Sequence, residues 1–299
     1  MKTLNIGIVG LDTSHAPAFA KLLNDAANEF HVPGGKVVKA FAGGSKAFSM
    51  SMSRVGQFTD EFRAMGIEVV DSIEALAGLD AYFLESVDGN QHLEQFKILV
   101  EFGKPIFIDK PLACYYHDAK AIVELAKAKN VPIMTASAIR YAKGIDGALP
   151  AGAEVAAVDA FGPMVFFEDY RDYFWYGIHS AELLYSFMGR GCQKVQTFST
   201  DKVDAVVGLW ADGRIGKLSG NRINANNFGC TLTTTQGHIA AMVSTEVPFY
   251  AMLLRKVVPF FQTGIPAVPV EESLEIIAFL EAVSRSRAEG GKMIEIASL

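Results

Sequence analysis

The sequence has few cysteines, no long apolar run and no surplus of positive charge. Its three cysteines, Cys114, Cys192 and Cys230, are far apart and form no CxxC pair, so we expect no disulfide framework and a reducing, cytoplasmic environment. No stretch of about eighteen uninterrupted apolar residues is present, which argues against a membrane span. The 27 basic residues are outnumbered by 33 acidic ones, giving a net charge of −6. That balance argues against a nucleic-acid partner, because binding phosphates needs a basic surface.

The composition is that of a globular protein. Hydrophobic residues make up 50% of the chain and charged residues 20%, and 299 residues leave room for two domains with a core each. Glycine and proline cluster in residues 137–153, so we place the domain boundary there. We predict a Rossmann-like dinucleotide-binding domain over residues 1–136 and an α+β substrate-binding and oligomerisation domain over residues 137–299.

The first half alternates short apolar runs with helical patterns. The runs that predict strands are residues 4–9, 37–42, 68–70, 81–84, 105–108 and 132–135. Helical spacing follows in residues 16–27, 93–102 and 118–129. This alternation predicts a parallel sheet covered on both faces, with ligands bound outside the carboxyl ends of the strands.

The second half has strand-like runs that follow one another. They are residues 155–167, 194–199, 203–210, 215–219, 230–235 and 239–243. An Asp-Gly pair within residues 210–214 indicates a hairpin. Helical patterns occupy residues 178–187 and 271–289. Together these features predict an α+β domain built on an open, largely antiparallel sheet.

The turn after the first predicted strand departs from a dinucleotide fingerprint. A G-x-G-x-x-G turn lets a pyrophosphate approach and lets helix and strand pack closely, but residues 10–15 read GLDTSH and keep only Gly10. Asp12 is expected to repel a pyrophosphate, and His15 is bulky for close packing. Either Asp12, Thr13 or Ser14 simply caps the helix, or the helix N-terminus still binds an anion through N–H groups and hydroxyls.

The second predicted strand ends without the carboxylate that grips the ribose of NAD. It is followed instead by two glycines, Ser45 and Lys46. Ser45 and Lys46 are suited to receive the 2′-phosphate of NADP. The alternative is a glycine-rich loop with a solvated lysine.

Two further strand ends carry candidate functional groups. Asp109 and Lys110 follow the fifth strand, where a lysine beside a carboxylate can polarise a hydroxyl or carbonyl oxygen. Asn90 and His92 follow the fourth strand, as a helix cap and a residue just inside that helix. A surface loop at Lys110 and a buried structural histidine at His92 are the alternatives.

In the second half, His179 and Glu182 are three residues apart and share one face of a predicted helix. A histidine so placed can act as a general acid or base at neutral pH. The alternative is a histidine packed among the surrounding aromatic residues.

These segments, in this order, resemble the Gfo/Idh/MocA family of sugar oxidoreductases. Residues 109–111, Asp-Lys-Pro, resemble the family's Glu-Lys-Pro motif, and residues 177–179, Gly-Ile-His, resemble its Gly-x-His segment. The stretch ending at His92 is similar to the family's loop beside the nicotinamide. Residues 137–141 look like its crossover segment, and residues 263–290 like its C-terminus.

The resemblance implies roles for particular residues. Lys110 and His179 would be catalytic. Arg140, Tyr173 and Glu182 would contact the substrate. The cofactor, NAD or NADP, would be bound by Gly10, Asp12, Thr13, Ser14, His15, Ser45, Lys46, Asn90, His92, Asp109 and Lys110.

The expected function is an NAD(P)-dependent oxidoreductase acting on a CH–OH group of a sugar, polyol or related small molecule, with Lys110 and His179 handling the hydroxyl proton. The chain departs from the family at Trp175, where an aspartate is expected, and at Glu182, which replaces another. Asp172 or Asp169 is a candidate for the missing acid.

The departures motivate an alternative, a cofactor-free small-molecule binding or regulatory protein that keeps the fold. A metal site formed by Asp12, His15, His92 and His179 ranks last, since no pair has diagnostic metal spacing, and no metal is predicted.

The resemblance also implies a homodimer or homotetramer. We expect the open face of the second-domain sheet to be the contact surface. Val206, Leu209 and Leu218 are the apolar positions expected to point outward and pair across subunits.

Overall fold

The structure is a computed structural model that describes residues 3–296 and divides the chain into two compact units. The first unit contains the residues up to Ala136 together with Tyr250–Val270. The second contains Ser137–Phe249 and the residues from Glu271 onward. Residues 250–270, which the sequence analysis assigns to the second domain, thus fall in the first unit.

The described part of the chain forms two sheets and seven α-helices. The strands of the first sheet are β1 (Leu4–Val9), β2 (Gly35–Phe41), β3 (Glu68–Val70), β4 (Ala81–Leu84), β5 (Ile106–Ile108) and β6 (Ile133–Met134). Those of the second are β7 (Val155–Pro163), β8 (Cys192–Ser199), β9 (Val203–Trp210), β10 (Ile215–Asn221), β11 (Gly229–Thr234), β12 (Gly237–Met242) and β13 (Ile294–Glu295). The helices are α1 (His15–Asn24), α2 (Ser49–Ala64), α3 (His92–Leu99), α4 (Tyr116–Ala128), α5 (Gly177–Met188), α6 (Phe249–Thr263) and α7 (Val270–Ala288).

The first sheet is parallel throughout, in the order β3-β2-β1-β4-β5-β6. Its central strands β4 and β5 are buried at every position, as expected for a sheet covered on both faces. The strand order reverses between β1 and β4, and the crevice outside the carboxyl ends of such a pair is where α/β sheets bind ligands. The predicted α/β fold class is confirmed for this half.

The second sheet is mixed, in the order β12-β11-β7-β10-β9-β8-β13. Only β7 and β10 pair in parallel, and the other neighbours are antiparallel. The predicted Asp-Gly hairpin joins β9 to β10, where Gly213 has a φ of 89° that favours glycine. Helix α5 packs on one face of the sheet, against β7 and β10. The predicted α+β second domain is confirmed as an architecture.

Two of the residues predicted to form the contact surface lie instead on the face of this sheet that α5 covers. Val206 is 1% exposed and Leu218 is 0% exposed, so both belong to the core of the second unit. The prediction that they point outward is wrong because it assigned all three positions to one face, and alternate residues of a strand point to opposite faces. Leu209 lies on the open face, opposite Ile215 of the neighbouring strand, which is 41% exposed.

Two helices have no counterpart in the sequence analysis. Helix α2 buries only Ser51, Thr59 and Phe62, so its sequence carries a weak amphipathic pattern. Helix α6 is largely apolar and contains Pro259, which obscures its period. From Tyr250 onward α6 belongs to the first unit, where Phe261 packs edge-on against Phe83 of β4 at 5.0 Å between ring centroids.

Cys114, Cys192 and Cys230 are buried, and none of them forms a disulfide within residues 3–296. Burial raises the pKa of Cys192 and of Cys230 to about 12, which keeps both thiols protonated and poorly nucleophilic at neutral pH. Among the helices of residues 3–296, none has the length and apolar character needed to cross a membrane.

Candidate functional site

Three ionisable side chains meet at the carboxyl edge of the parallel sheet. His15 is the first residue of α1, Glu85 follows β4 directly and Asp109 follows β5 directly. The Nδ1 atom of His15 lies 2.8 Å from Oδ2 of Asp109 and 3.8 Å from Oε2 of Glu85. The side chains are almost fully enclosed, with exposed fractions of 8% for His15, 0% for Glu85 and 1% for Asp109. Two carboxylates and an imidazole therefore share one dry region at the switch point of the sheet.

The two carboxylates of this group have opposite pKa shifts. Burial raises the pKa of Glu85 well above its ordinary value, and the charge of Asp109 raises it further. Burial also acts on Asp109, but its interactions with His15 and Lys110 outweigh that effect and lower its pKa to about 2. Asp109 is therefore the carboxylate that stays ionised, beside a Lys110 side chain that is itself buried.

The Asp12 carboxylate is turned into the protein and fully buried. Its Oδ2 accepts a hydrogen bond from the Ser51 hydroxyl at 2.6 Å, and its Oδ1 accepts one from the Val87 backbone N–H at 3.0 Å. Burial raises the pKa of Asp12 despite these hydrogen bonds. The charge expected to repel a pyrophosphate is thus enclosed and weakened.

The start of α1 lies next to this buried carboxylate. Ser14 occupies the N-cap position, is exposed and makes no side-chain capping bond. Thr13 is buried, and its Oγ1 accepts only a long hydrogen bond, 3.4 Å, from the His15 backbone N–H. Gly10 has a φ of 96°, and a Cβ there would lie 2.3 Å from the backbone nitrogen of Ser86, so this position requires glycine.

The loop after β2 is tied to the loop after β4. The Ser45 hydroxyl donates to Oδ2 of Asp88 at 2.6 Å, and the Ser45 N–H donates to Ser51 Oγ at 2.7 Å. Ser45 and Asp88 are each 2% exposed, whereas Lys46 is exposed. Asn90 is also exposed and donates to Asp88 through its backbone and its side-chain amide. The Asp88 carboxylate therefore accepts hydrogen bonds from polar groups of both loops.

His92 is fully buried. Its Nδ1 lies 3.1 Å from the carbonyl oxygen of Leu112, and its Nε2 lies 2.8 Å from the carbonyl oxygen of Ser86. Both ring nitrogens are thus occupied by backbone. His92 ties the loop after β4 to the segment after β5, and the structure does not bring it together with His15 as the lowest-ranked metal hypothesis required.

In the second unit, His179 lies in the first turn of α5 and is partly exposed. Its Nδ1 is 2.7 Å from the hydroxyl oxygen of Ser137. Aromatic rings flank it, with Tyr176 at 6.2 Å and Phe228 at 5.6 Å between centroids. The Ser137 hydroxyl therefore fixes the orientation of the His179 ring through Nδ1.

Arg140 and Glu182 are engaged with each other. The Arg140 Nε donates to Oε2 of Glu182 at 2.8 Å, and its Nη2 lies 2.8 Å from Oε1 of Glu272. The exposed fractions of the three side chains are 9%, 3% and 12%. Burial raises the pKa of Glu182 against the opposing effect of Arg140. The predicted substrate contacts thus form a buried ionic group that joins the segment after Ser137 to α5 and α7.

Tyr173 is 1% exposed and its hydroxyl donates to Oδ2 of Asp204 at 2.7 Å. Burial alone would raise the pKa of Asp204, but hydrogen bonds from Arg222, Ser199 and Tyr173 outweigh it and lower that pKa. Arg222 reaches both carboxylate oxygens, at 2.8 and 3.0 Å. The Tyr173 hydroxyl is therefore buried in the second unit and engaged in a hydrogen bond to Asp204.

Trp175 stands where the family resemblance implies an acid before His179, and Asp172 is a candidate to replace that acid. Trp175 packs edge-on against Phe167 and Tyr170, with centroids 5.4 and 5.7 Å apart. Asp172 accepts from Ser284 at 2.7 Å and contacts Arg287 at 3.3 Å. Asp172 is thus an anchor for α7.

Sequence reasoning missed Glu85, Ser51 and Asp88. Glu85 carried a signal, because it directly follows a buried strand of the parallel sheet, as Asp109 does. Ser51 and Asp88 carried none, since their roles depend on which loops meet at the sheet edge.

The N-terminal part of the chain matches a known family. Residues 4–137 match the family model GFO_IDH_MocA, an oxidoreductase family with an NAD-binding Rossmann fold. The predicted resemblance to this family is confirmed over these residues.

Solved structures with the same fold extend over nearly the whole chain. GenD2 from gentamicin A biosynthesis, in complex with NAD, shares 16% identity over 99% of this chain and 97% of its own, with a TM-score of 0.76. Myo-inositol 2-dehydrogenase from Lactobacillus plantarum shares 15% identity over 98% and 99%, with a TM-score of 0.76. Myo-inositol dehydrogenase from Lactobacillus casei, in complex with NAD(H) and myo-inositol, shares 14% identity over 98% and 97%, with a TM-score of 0.74. At these identities the likeness is one of fold.

Proposed function

We propose that this protein is an NAD-dependent oxidoreductase acting on a CH–OH group of a sugar, polyol or inositol. The observation that carries the proposal is the buried pair Asp109 and Lys110 at the carboxyl end of β5, in a parallel sheet that matches an NAD-binding family. A lysine held beside an ionised carboxylate can bind and polarise the substrate oxygen.

The residues at the start of α1 fit a dinucleotide. Gly10 makes the tight turn that the fingerprint requires, and Ser14 leaves the helix N-terminus exposed without a side-chain cap. Asp12 does not oppose an anion there, because its carboxylate is enclosed and hydrogen-bonded. Backbone N–H groups at this helix end and the Thr13 and Ser14 hydroxyls would hold the pyrophosphate.

The end of β2 favours NAD over NADP. The Ser45 hydroxyl, which the sequence suggested for a 2′-phosphate, is donated to Asp88. The carboxylate of Asp88 therefore lies beside the end of β2, where its negative charge would repel a 2′-phosphate. Lys46 is exposed and offers only a solvated charge in return.

The bound nicotinamide would accept or supply the hydride. Lys110 would bind the hydroxyl oxygen and lower the cost of removing its proton. For His179, whose ring is oriented by Ser137, we propose a role as general acid or base, as the family resemblance implies. The substrate class rests on the myo-inositol dehydrogenase from Lactobacillus casei, which shares the fold and whose structure is a complex with NAD(H) and myo-inositol.

Nucleotide titration is the first test. Calorimetric titration with NADH and NADPH should give saturable NADH binding at micromolar concentration and at least tenfold weaker NADPH binding. Asp88→Asn keeps the shape of the side chain and removes its charge. It should therefore reduce the difference in affinity between NADH and NADPH. Folded protein that binds neither nucleotide would overturn the proposal.

Turnover is the second test. Myo-inositol, scyllo-inositol and a panel of sugars are offered with NAD, and NADH absorbance is followed. Lys110→Met should lower kcat by about 10²- to 10⁴-fold, and a parallel NADH titration of the variant separates this loss from any change in nucleotide affinity. The exposed Lys104, at the amino end of the same strand, provides the matched control Lys104→Met, which should leave kcat unchanged.

A cofactor-free binding protein is the second candidate. The observation in its favour is the closed network of Asp12, Ser51, Ser45 and Asp88, in which groups at two strand ends are satisfied by one another. This candidate requires a small molecule that raises the melting temperature when no nucleotide does.

We also propose self-association through the open face of the second sheet. Phe198 is 57% exposed and Val203 44% exposed on that face, together with Ile215. Light scattering should give the mass of a dimer or tetramer, and Phe198→Lys should shift it toward one chain. A single-chain mass for the unaltered protein would exclude the proposal.

A further inference from the structure

The group formed by His15, Glu85 and Asp109 has the geometry of converging ligands. One donor atom from each side chain lies within 4.8 Å of the other two. Ligand atoms bound at about 2.0–2.2 Å to one metal ion are separated by about 3.0–3.5 Å. The distances from His15 Nδ1, 2.8 Å to Asp109 and 3.8 Å to Glu85, bracket that spacing.

The contacts within the group leave hydrogen-bonding atoms of its side chains without partners. The 2.8 Å approach of His15 Nδ1 to Asp109 lacks the geometry of a hydrogen bond. Within residues 3–296, neither carboxylate oxygen of Glu85 has a hydrogen-bond partner, although the side chain is 0% exposed. An enclosed carboxyl group without hydrogen-bond partners is costly to bury, and a bound cation would satisfy its oxygens.

We propose that His15, Glu85 and Asp109 bind one divalent transition-metal cation, Zn²⁺ or Mn²⁺. One imidazole nitrogen and two carboxylate oxygens suit these ions. Imidazole disfavours Ca²⁺ and Mg²⁺, which prefer oxygen ligands and, for Mg²⁺, retained water.

A divalent ion bound by a neutral imidazole and two carboxylates forms a group with no net charge, which suits an enclosed site. The metal would also join the start of α1 to the ends of β4 and β5, so we expect it to stabilise the first unit.

This inference goes beyond the proposed function and does not require it. Metal binding is measured without nucleotide or substrate, so its outcome is separate from that of the NADH titration. A protein that binds nucleotide but no metal would refute only the metal site, and the converse result would refute only the nucleotide proposal.

The protein is first stripped of metal with a chelator, and the chelator is removed by dialysis. It is then titrated with ZnCl₂, MnCl₂ and MgCl₂ by calorimetry. We expect one Zn²⁺ or Mn²⁺ per chain and at least 100-fold weaker binding of Mg²⁺. Saturating Zn²⁺ should raise the melting temperature. CoCl₂ should give visible d–d absorption bands characteristic of protein ligands.

Glu85→Gln is the decisive variant, because it preserves shape and removes one ligand. It should weaken Zn²⁺ binding by about 100-fold or more, beyond the loss typical of outer-shell changes. Asp12→Asn is the matched control: it removes a buried carboxylate at the same edge of the sheet whose oxygens are already bonded. It should change Zn²⁺ affinity by less than threefold.

The site would be overturned if the unaltered protein showed no saturable binding, or if the Zn²⁺ affinity of Glu85→Gln stayed within threefold of the original. Equal losses in Glu85→Gln and Asp12→Asn would also overturn it, since they would reduce the effect to general negative charge. Circular dichroism checks that each variant is folded. If Glu85→Gln does not fold, the Co²⁺ spectrum of the unaltered protein decides, because its absence contradicts the site.

Discussion

Removing Arg140 tests whether the buried ionic group of the second unit supports its fold. Arg140 is the only cation that bridges Glu182 and Glu272 in the described part of the chain, and all three side chains are nearly enclosed. Arg140→Met preserves much of the packing volume but leaves two buried carboxylates without their counter-charge. Breaking a buried pair in this way costs about 3–5 kcal/mol of unfolding free energy.

That cost converts to a measurable shift. At about 2–4 °C per kcal/mol for domains of this size, the melting temperature of Arg140→Met should fall by about 6–20 °C. Differential scanning calorimetry and urea unfolding measure the change. A triple variant, Arg140→Met with Glu182→Leu and Glu272→Leu, removes the charges together and should recover most of the lost stability.

An exposed pair supplies the matched control for this measurement. Arg285 bonds Glu289 one turn along α7, with both side chains substantially in solvent. Arg285→Met should leave the melting temperature essentially unchanged, because exposed pairs contribute little. If Arg140→Met behaved like Arg285→Met, the reasoning that burial makes the Arg140 group structural would be refuted.

Three further predictions concern single positions. Gly10→Ala should destabilise the first unit by about 3 kcal/mol or more in urea unfolding, because a Cβ there meets backbone at 2.3 Å; a loss below about 1 kcal/mol would contradict this. Ser137→Ala should lower kcat by about tenfold, change KM little and alter the pH profile set by His179, whereas Ser137→Thr should restore both; an unchanged profile in the alanine variant would contradict a positioning role. The lowered pKa of Asp204 contributes stability that is present above about pH 4 and is lost as pH falls through the folded-state pKa. Asp204→Asn should therefore reduce the loss of unfolding free energy at acid pH and leave Arg222 without the Asp204 carboxylate. If the variant and the unaltered protein lost the same unfolding free energy at acid pH, this prediction would be wrong.

Local sequence determined most of the secondary structure and the fold class. Alternating apolar runs and helical patterns located β1, β3, β4 and β9 at their observed bounds, because these runs are too short for a helix and are bounded by residues typical of turns. The elements it missed, α2 and α6, lack the contrast between apolar and polar faces on which such reading depends.

The motifs placed Lys110 and Asp109 at the end of a parallel strand and His179 in the first turn of a helix, as the sequence implied. Sequence alone predicted that Asp12 would repel a pyrophosphate, and it left open whether Ser45 binds a phosphate or belongs to a glycine-rich loop. Whether a polar side chain meets a ligand or another loop depends on residues far away in the chain, here Ser51, Val87 and Asp88.

The tertiary structure alone brought His15, Glu85 and Asp109 together. They are separated by 70 and 24 positions in the sequence, and no local spacing links them. They meet because parallel strands end at one edge of a sheet, so that residues following β4 and β5 and the first residue of α1 share one small volume. Sequence patterns fix which elements form; the shared edge of the sheet decides which side chains can act together.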